Sequence, residues 1–325
     1  MPLVTSTYKS PFFLFNGHLQ TIYPSLFRTV SSVKYTRITI PTEDNDFLHG
    51  DFSGNGSDTL AILSHGLEGH SQRKYIRGMV HALNNANIDA LAWNFRGCSG
   101  VPNKQFRLYH NCATDDVESI VNYMAQNYNY KNIILVGFSM GGNMTLLYLG
   151  QKGQQLSKTV KGAIVFSVPC NLSDSSIALD KWSSKIYMER FLRELHQKVR
   201  MKMEQFPTLI NDNGYDKLKN FADFDGRYTA PIHGFSSAKH YWDACSSDVV
   251  LNNIGIPTLI VNAKNDPFLL RRCYPIECAK ASYNIFLEMP KSGGHVGFTN
   301  ADSSKTYWSE TRTLEFIKEN IKINF

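Results

Sequence analysis

Residues 133–142 read Ile-Ile-Leu-Val-Gly-Phe-Ser-Met-Gly-Gly, and they constrain the fold more than any other stretch of the chain. The apolar run Ile133–Val136 suits a strand covered on both faces. From Met140 to Leu149 the pattern is helical. Only Gly-Phe-Ser separates the two. A turn that tight strains the backbone at its centre, and the residues two places either side of Ser139 must pass close to their neighbours. Gly137 and Gly141 leave that room. The turn lifts Ser139 Oγ above the carboxyl end of a sheet, where open α/β sheets bind ligands. The helix that follows aims its N-terminal N–H groups and dipole at the same point.

The same alternation runs along the chain. Candidate strands lie at Tyr35–Ile40, Phe47–Phe52, Thr59–Ser64, Ile88–Asn94, Asn132–Gly137, Gly162–Val168, Thr258–Asn262 and Asn284–Met289. Helical patterns cover Arg73–Asn85, Thr114–Gln126, Met140–Leu149, Cys273–Ala281 and Tyr307–Glu319. Short, continuously apolar strands followed by amphipathic stretches imply a mostly parallel, eight-stranded sheet flanked by helices. Between residues 171 and 253 no strand pattern appears. There Met188, Leu192, Leu195, Val199, Met203 and Phe206 recur at helical spacing. That stripe either packs onto the core or contributes to an acyl-binding surface. The expected organisation is an N-terminal arm over 1–34 packed on the core, a core built from 35–170 and 254–325, and a helical cap insertion over 171–253.

Gly-x-Ser-x-Gly between a strand and a helix is the nucleophile elbow of the α/β-hydrolase fold, where an acid and then a histidine follow the serine. The five-residue pattern alone is weak, and its setting gives it force. Ser139 is the candidate nucleophile. Of ten histidines, only His295 follows the last strand, on the glycine-rich loop Lys-Ser-Gly-Gly-His-Val-Gly-Phe. Asp266 lies 29 residues earlier, in the turn after Thr258–Asn262, and is the candidate acid. It would hold the imidazole tautomer and stabilise the imidazolium. Its ordinary alternative is an Asp that shapes the turn before Pro267. Asp243 and Asp248 are poorer candidates because they fall in the expected cap. The oxyanion hole would take the backbone N–H groups of Met140 and of Leu67, the latter in His65-Gly66-Leu67-Glu68-Gly69.

Further stretches carry a resemblance. They are Asn16-Gly17-His18-Leu19-Gln20-Thr21-Ile22, Asn94-Phe95-Arg96-Gly97-Cys98-Ser99-Gly100, Tyr109-His110, Asn265-Asp266-Pro267-Phe268 and Gly293–Phe298, beside the elbow and the His65–Gly69 loop. Together the chain resembles the YheT-like α/β-hydrolases over nearly its whole length. That resemblance implies carboxylic-ester hydrolysis with Ser139, Asp266 and His295 as triad, on substrates from short artificial esters to glycerolipids. Some yeast members also transfer acyl groups to alcohols. Animal members carry an N-terminal membrane anchor, which is not found here. The family often has a Ser-Gly-containing stretch after the Tyr-His pair, where Asn111-Cys112-Ala113 stand in this chain. His110 and Asp115 form an H-x-x-x-x-D pattern linked to acyltransferases, although an Asp at a helix start more often serves as a cap or dipole partner.

Composition narrows the rest. The chain has 325 residues, 42% hydrophobic and 19% charged, as in an ordinary globular protein. A net charge of +6 is spread out, with a mild enrichment between Lys181 and Lys202, and no basic stripe marks a nucleic-acid partner. A weak preference for anionic membrane surfaces stays open. No run approaches the 18 apolar residues of a membrane span, and no signal peptide is evident. Six cysteines without CxxC or zinc spacing read as reduced, mostly buried thiols of a cytoplasmic protein. The expected function is a serine carboxylesterase or lipase-like enzyme acting on a small-molecule or lipid ester. It needs no metal and no organic cofactor. An acyltransferase, or a non-catalytic binder on the same scaffold, is the alternative.

Overall fold

The structure, a computed structural model, describes residues 3–30, 32–300 and 306–325; residues 1, 2 and 31 of the N-terminal arm lie outside them. In chain order the elements are β1 (Leu3–Val4), α1 (Gly17–Phe27), β2 (Thr36–Pro41), β3 (Phe47–Ser53), β4 (Thr59–Ser64), α2 (Lys74–Asn85) and β5 (Asp89–Asn94). There follow α3 (Thr114–Asn127), β6 (Asn132–Phe138), α4 (Met140–Lys152) and β7 (Val160–Phe166). Five helical pieces come next: α5 (Leu172–Leu179), α6 (Lys185–Gln205), α7 (Phe221–Phe224), α8 (Ala230–Ile232) and α9 (Ala238–Cys245). The chain closes with β8 (Thr258–Val261), α10 (Ile276–Ala281), β9 (Ile285–Glu288) and α11 (Trp308–Phe316).

The strands pair in the order β1-β9-β8-β7-β6-β4-β5-β3-β2. β3 is antiparallel to β2 and to β5, and the other neighbours are parallel. Nine strands replace the eight expected. The additional one is Leu3–Val4, which pairs with Leu287 and Glu288 inside the stretch read as an arm. Two residues are too few to show a period, so nothing in the pattern announces it. β6 has four strands on either side, and the elbow therefore stands at the middle of the sheet.

Both faces of the sheet are covered. Ile133 and Leu135 pack with Val117, Ile120, Met124 and Met144 of α3 and α4. Ile134 and Val136 pack on the opposite face with Ile76, Met79, Leu83 and Phe316 of α2 and α11. A strand apolar at every position is what such a sandwich requires. Two boundaries differ from the pattern for local reasons. β7 stops at Phe166 because Ser167 takes a φ of 54°. The helix expected from Cys273 begins at Ile276, because Pro275 keeps Tyr274 out of helical geometry (φ −114°, ψ 89°).

Between β7 and β8 the described residues form helices and turns without a strand. Met188, Leu192, Leu195 and Val199 on α6 face the core of this helical segment, together with Tyr215, Phe224, Tyr228 and Phe268. Lys202, one turn on, is buried among them in position but not in chemistry. Its Nζ donates to Asn103 O at 3.2 Å, to Gln205 Oε1 at 3.1 Å and to Gln105 O. Burial brings its pKa down to about 8.

The loop that Lys202 grips is held from below by Arg96, whose guanidinium is 1% exposed. It pairs with Asp44 at 2.8 Å, Asp46 at 2.9 Å and Asp116 at 2.7 Å. Cys112 and Cys245 are joined in a disulfide across 133 residues, correcting the expectation of six reduced thiols. It ties the end of α9 to the turn before α3, a contact that only the tertiary fold creates. Cys98, Cys170 and Cys273 are free and buried, and Cys278 is free and half-buried.

Removing Arg96 leaves Asp46 and Asp116 buried without their cation. Arg96→Met should lower unfolding stability by about 3–5 kcal/mol. A urea titration that shows an unchanged midpoint would refute that role.

Candidate active site

The elbow is built as a steric necessity. Ser139 joins β6 to α4 with φ 53° and ψ −121°. Its N–H donates to Phe166 O on the neighbouring strand at 2.9 Å. A Cβ placed on Gly141 would lie 2.4 Å from His65 O, and one on Gly137 would lie 2.6 Å from Gly142 Cα. Neither backbone contact can yield without opening the turn.

Three loops converge on Ser139. His295 Nε2 lies 2.9 Å from Ser139 Oγ. Its Nδ1 lies 3.0 Å and 2.9 Å from the two oxygens of Asp266. An ionised carboxylate only accepts, so Nδ1 carries the proton and the Nε2 lone pair faces the hydroxyl. The Asp266 side chain is fully buried, and it also accepts from Phe268 N–H at 2.9 Å. The Phe268 ring stacks on the imidazole with centroids 4.0 Å apart. Ser139, Asp266 and His295 thus lie together. Asp243 instead pairs with Lys239, and Asp248 with Arg272.

The loop carrying His295 is held from the far end of the chain. Gln20 Oε1 accepts from Gly293 N–H at 2.6 Å and from Asn265 Nδ2 at 2.9 Å. Thr21 Oγ1 accepts from His295 N–H at 2.9 Å and donates to Gly17 O at 2.6 Å. Asn265 Oδ1 accepts from Gly294 N–H at 3.1 Å. Gly17 is needed because a Cβ there would fall 1.9 Å from Asn265 O. Sequence reasoning gave Gln20 and Thr21 no role. The signal available was the Asn16–Ile22 block, whose polar residues have no periodic explanation on a helix that is otherwise apolar.

Leu67 sits on a loop that is pinned on both sides of it. Gly66 N–H donates to Tyr75 Oη at 2.9 Å, Glu68 N–H to Tyr109 Oη at 3.3 Å, and Gly69 N–H to Gly66 O at 2.9 Å. Glu68 itself takes a φ of 51°. His65 Nε2 accepts from Phe95 N–H at 3.1 Å, so its proton is on Nδ1, donated to Gly66 O at 2.7 Å. Burial holds this imidazole neutral, its pKa down at about 3. The N–H groups of Leu67 and Met140 have no acceptor among the described residues. A Cβ on Gly66 would lie 3.2 Å from Ser139 Cβ, so the loop abuts the serine.

Ser139 and His295 line a cavity of about 910 Å³, mouth included. Leu67, Leu172, Leu179, Phe191, Phe224 and Phe268 give it apolar walls, and His110, Asn111, Asp225 and Tyr241 add polar groups. Burial raises the Asp225 carboxyl to about 6, against hydrogen bonds from Thr229 and Trp242. Burial, and then the charge of neighbouring His233, whose ring is tilted against it at 4.0 Å, holds His110 well below the ordinary histidine range. Asp115 does not accompany His110 into the wall. It is exposed in the first turn of α3 and ion-paired with Arg107 at 2.6 Å. Among the described residues, the cluster with metal-ligand spacing is His110, Cys112 and Cys245, whose two sulfurs are bonded to each other.

A doubly flanked, mostly parallel sheet with a serine on a strained turn at its centre defines an α/β-hydrolase. The Hydrolase_4 family model, described as "Serine aminopeptidase, S33", matches residues 56–272. The chain is 32% identical over 313 residues to YheT of Escherichia coli (strain K12), named as a candidate esterase, covering 93% of this chain and 90% of that one. It is 29% identical over 308 residues to the human phospholipase ABHD3, covering 91% and 75%. It is 25% identical over 365 residues to a monoacylglycerol lipase of Saccharomyces cerevisiae, covering 95% and 80%. Among solved structures, the esterase Pf2001 of Pyrococcus furiosus superposes with a TM-score of 0.61 at 19% identity, covering 90% and 96%. The chain belongs to the YheT-like family of α/β-hydrolases.

Thr21→Val keeps the side-chain shape and removes the acceptor for His295 N–H. The rate of Ser139 labelling by a fluorophosphonate should fall about tenfold to a hundredfold. Stability should drop by about 1–3 kcal/mol, because the bond to Gly17 O is lost along with the one from His295 N–H. A labelling rate equal to wild type would remove Thr21 from the positioning of His295.

Proposed function

We propose that the protein hydrolyses carboxylic esters through a Ser139–His295–Asp266 triad and an acyl-enzyme. The observation that carries this reading is the 2.9 Å contact between His295 Nε2 and Ser139 Oγ, with both Asp266 oxygens on Nδ1. In the first step Oγ attacks the ester carbonyl carbon while its proton passes to Nε2. The Leu67 and Met140 N–H groups receive the oxyanion, each worth roughly 3 kcal/mol in the transition state. Collapse of the tetrahedral adduct breaks the bond to the alkoxy oxygen, which leaves as the alcohol with the proton from Nε2. Water then repeats the sequence on the acyl-enzyme and releases the acid. The apolar walls beside Ser139 suit a hydrocarbon acyl chain, in keeping with relatives named as a phospholipase and a monoacylglycerol lipase.

Turnover of p-nitrophenyl esters of increasing acyl length, in wild type and Ser139→Ala, tests the reading. Activity should fall by about a thousandfold or more in the variant. Retention of wild-type activity by the purified variant would refute the assignment. Asp266→Asn should cost about four orders of magnitude in kcat by leaving the wrong tautomer at His295. An undiminished rate would move the acid elsewhere without touching Ser139.

A further inference from the structure

Helix α1 is turned inside out. Its buried residues are Gly17, Gln20 and Pro24. Leu19, Leu26 and Phe27 face solvent. A surface helix ordinarily buries its apolar stripe and exposes its polar one. Gln20 is drawn inward by Gly293 and Asn265, but that does not account for what the opposite face presents.

The exposed rings of this arm form one surface. Phe12 touches Phe13 at 5.7 Å between centroids, Phe13 touches Tyr23 at 5.6 Å, and Tyr23 touches Phe27 at 5.1 Å. Phe12 is 93% exposed and Phe15 79%. The surface continues onto the start of α6. There Tyr187 stacks on His18 at 5.8 Å and shares a 3.2 Å hydrogen bond with its Nδ1. Its neighbour Ile186 is exposed, and Trp182, four residues before Ile186, is 89% exposed. The patch is also close to the chemistry, because Tyr187 packs on Phe268 at 4.8 Å and Phe268 stacks on His295.

Charge says what covers it. No Asp or Glu precedes Glu43, whereas Lys9, Arg28, Lys34 and Arg37 do. Arg28 is spent on the buried Glu310, but Lys9, three residues before Phe12, is exposed. Lys181 and Lys185 are exposed on either side of Trp182; of the local acids, Glu189 is ion-paired with Lys185 at 3.7 Å and Asp180 accepts from Asn220 Nδ2 at 3.2 Å. Exposed aromatics with lysines at their edge fit a bilayer, the rings entering the headgroup boundary and the ammonium groups meeting phosphates. A second copy of the chain would bring the same basic edge against itself.

We propose that the arm around Phe12, Phe13, Phe15 and Phe27, with Trp182 and Ile186, docks the protein onto an anionic lipid bilayer, with the cavity of Ser139 beside the contact. The inference rests on surface chemistry and stands whether or not Ser139 is the nucleophile.

Sedimentation with large vesicles tests it, comparing phosphatidylcholine alone with phosphatidylcholine containing phosphatidylglycerol. The full chain should pellet with the anionic vesicles, and Ser139→Ala should pellet equally. Phe12→Ser combined with Phe15→Ser should weaken binding by about tenfold, and Trp182→Ser should weaken it on its own. Hydrolysis of a soluble short-chain ester by these variants should stay at the wild-type rate, which separates lost docking from a lost fold. Failure of wild type to bind anionic vesicles overturns the proposal, as does binding that the three substitutions leave unchanged. A wild-type dimer in analytical ultracentrifugation that becomes monomeric in Phe12→Ser/Phe15→Ser also overturns it, by assigning the surface to a second copy.

Discussion

A positive φ on a residue with a side chain costs roughly 1–3 kcal/mol and persists only where the surroundings over-determine it. At Ser139 the surroundings are the sheet itself. The residue is held by Phe166 O from β7 on one side, and by the backbone of His65 after β4 pressed against Gly141 on the other. β6 lies between those two strands at the middle of the sheet, so the central register fixes the serine in space. The helices on both faces then serve to keep that register. The strain at Ser139, itself half-buried at the cavity, is borne by the fully buried strands on either side of it.

The histidine has a different kind of support. Its loop carries its own positive φ values at Gly294, Val296 and Phe298, and beyond the bond from Val296 N–H to Ser167 Oγ its backbone is held by the N-terminal arm and Asn265. Gln20 and Thr21 hold it from 273 and 274 residues away. The N-terminal arm is thus a component of the site and not an appendage to it. β1 beside β9 anchors the arm's beginning, and the contacts of α1 anchor its end. Ser139 and His295 are therefore positioned by different structures, which meet at the 2.9 Å contact between their side chains and where Val296 N–H donates to Ser167 Oγ at 2.9 Å.

Much of this could be read in the residues, for reasons that are particular to each. The strand–turn–helix around Ser139 is local in sequence, so composition and spacing reveal it. His295 and Asp266 follow from their positions after strands whose apolar runs are unmistakable. What stayed hidden is non-local or too short. Leu3–Val4 has no period. Cys112 and Cys245 are 133 residues apart, and no spacing rule joins them. The stripe on α6 was read through Met203 and Phe206, but the residue fully buried near that end is Lys202. It is there because carbonyls at Asn103 and Gln105 need a donor, and that demand lies on a different element. Gln20 and Thr21 act through backbone groups of a distant loop, where side-chain patterning has nothing to say.

The disulfide has a topological result. Everything from α3 to α9, the serine included, lies inside the covalent ring that Cys112 and Cys245 close, while Asp266 and His295 lie outside it. A protease that nicks the chain once anywhere in that ring, for example in the turns between α6 and α7, releases nothing. The two pieces stay bonded through sulfur, the one bearing His295 still linked to the one bearing the turn before α3. Such a cut would be invisible on a non-reducing gel and would appear as two bands only after a thiol is added.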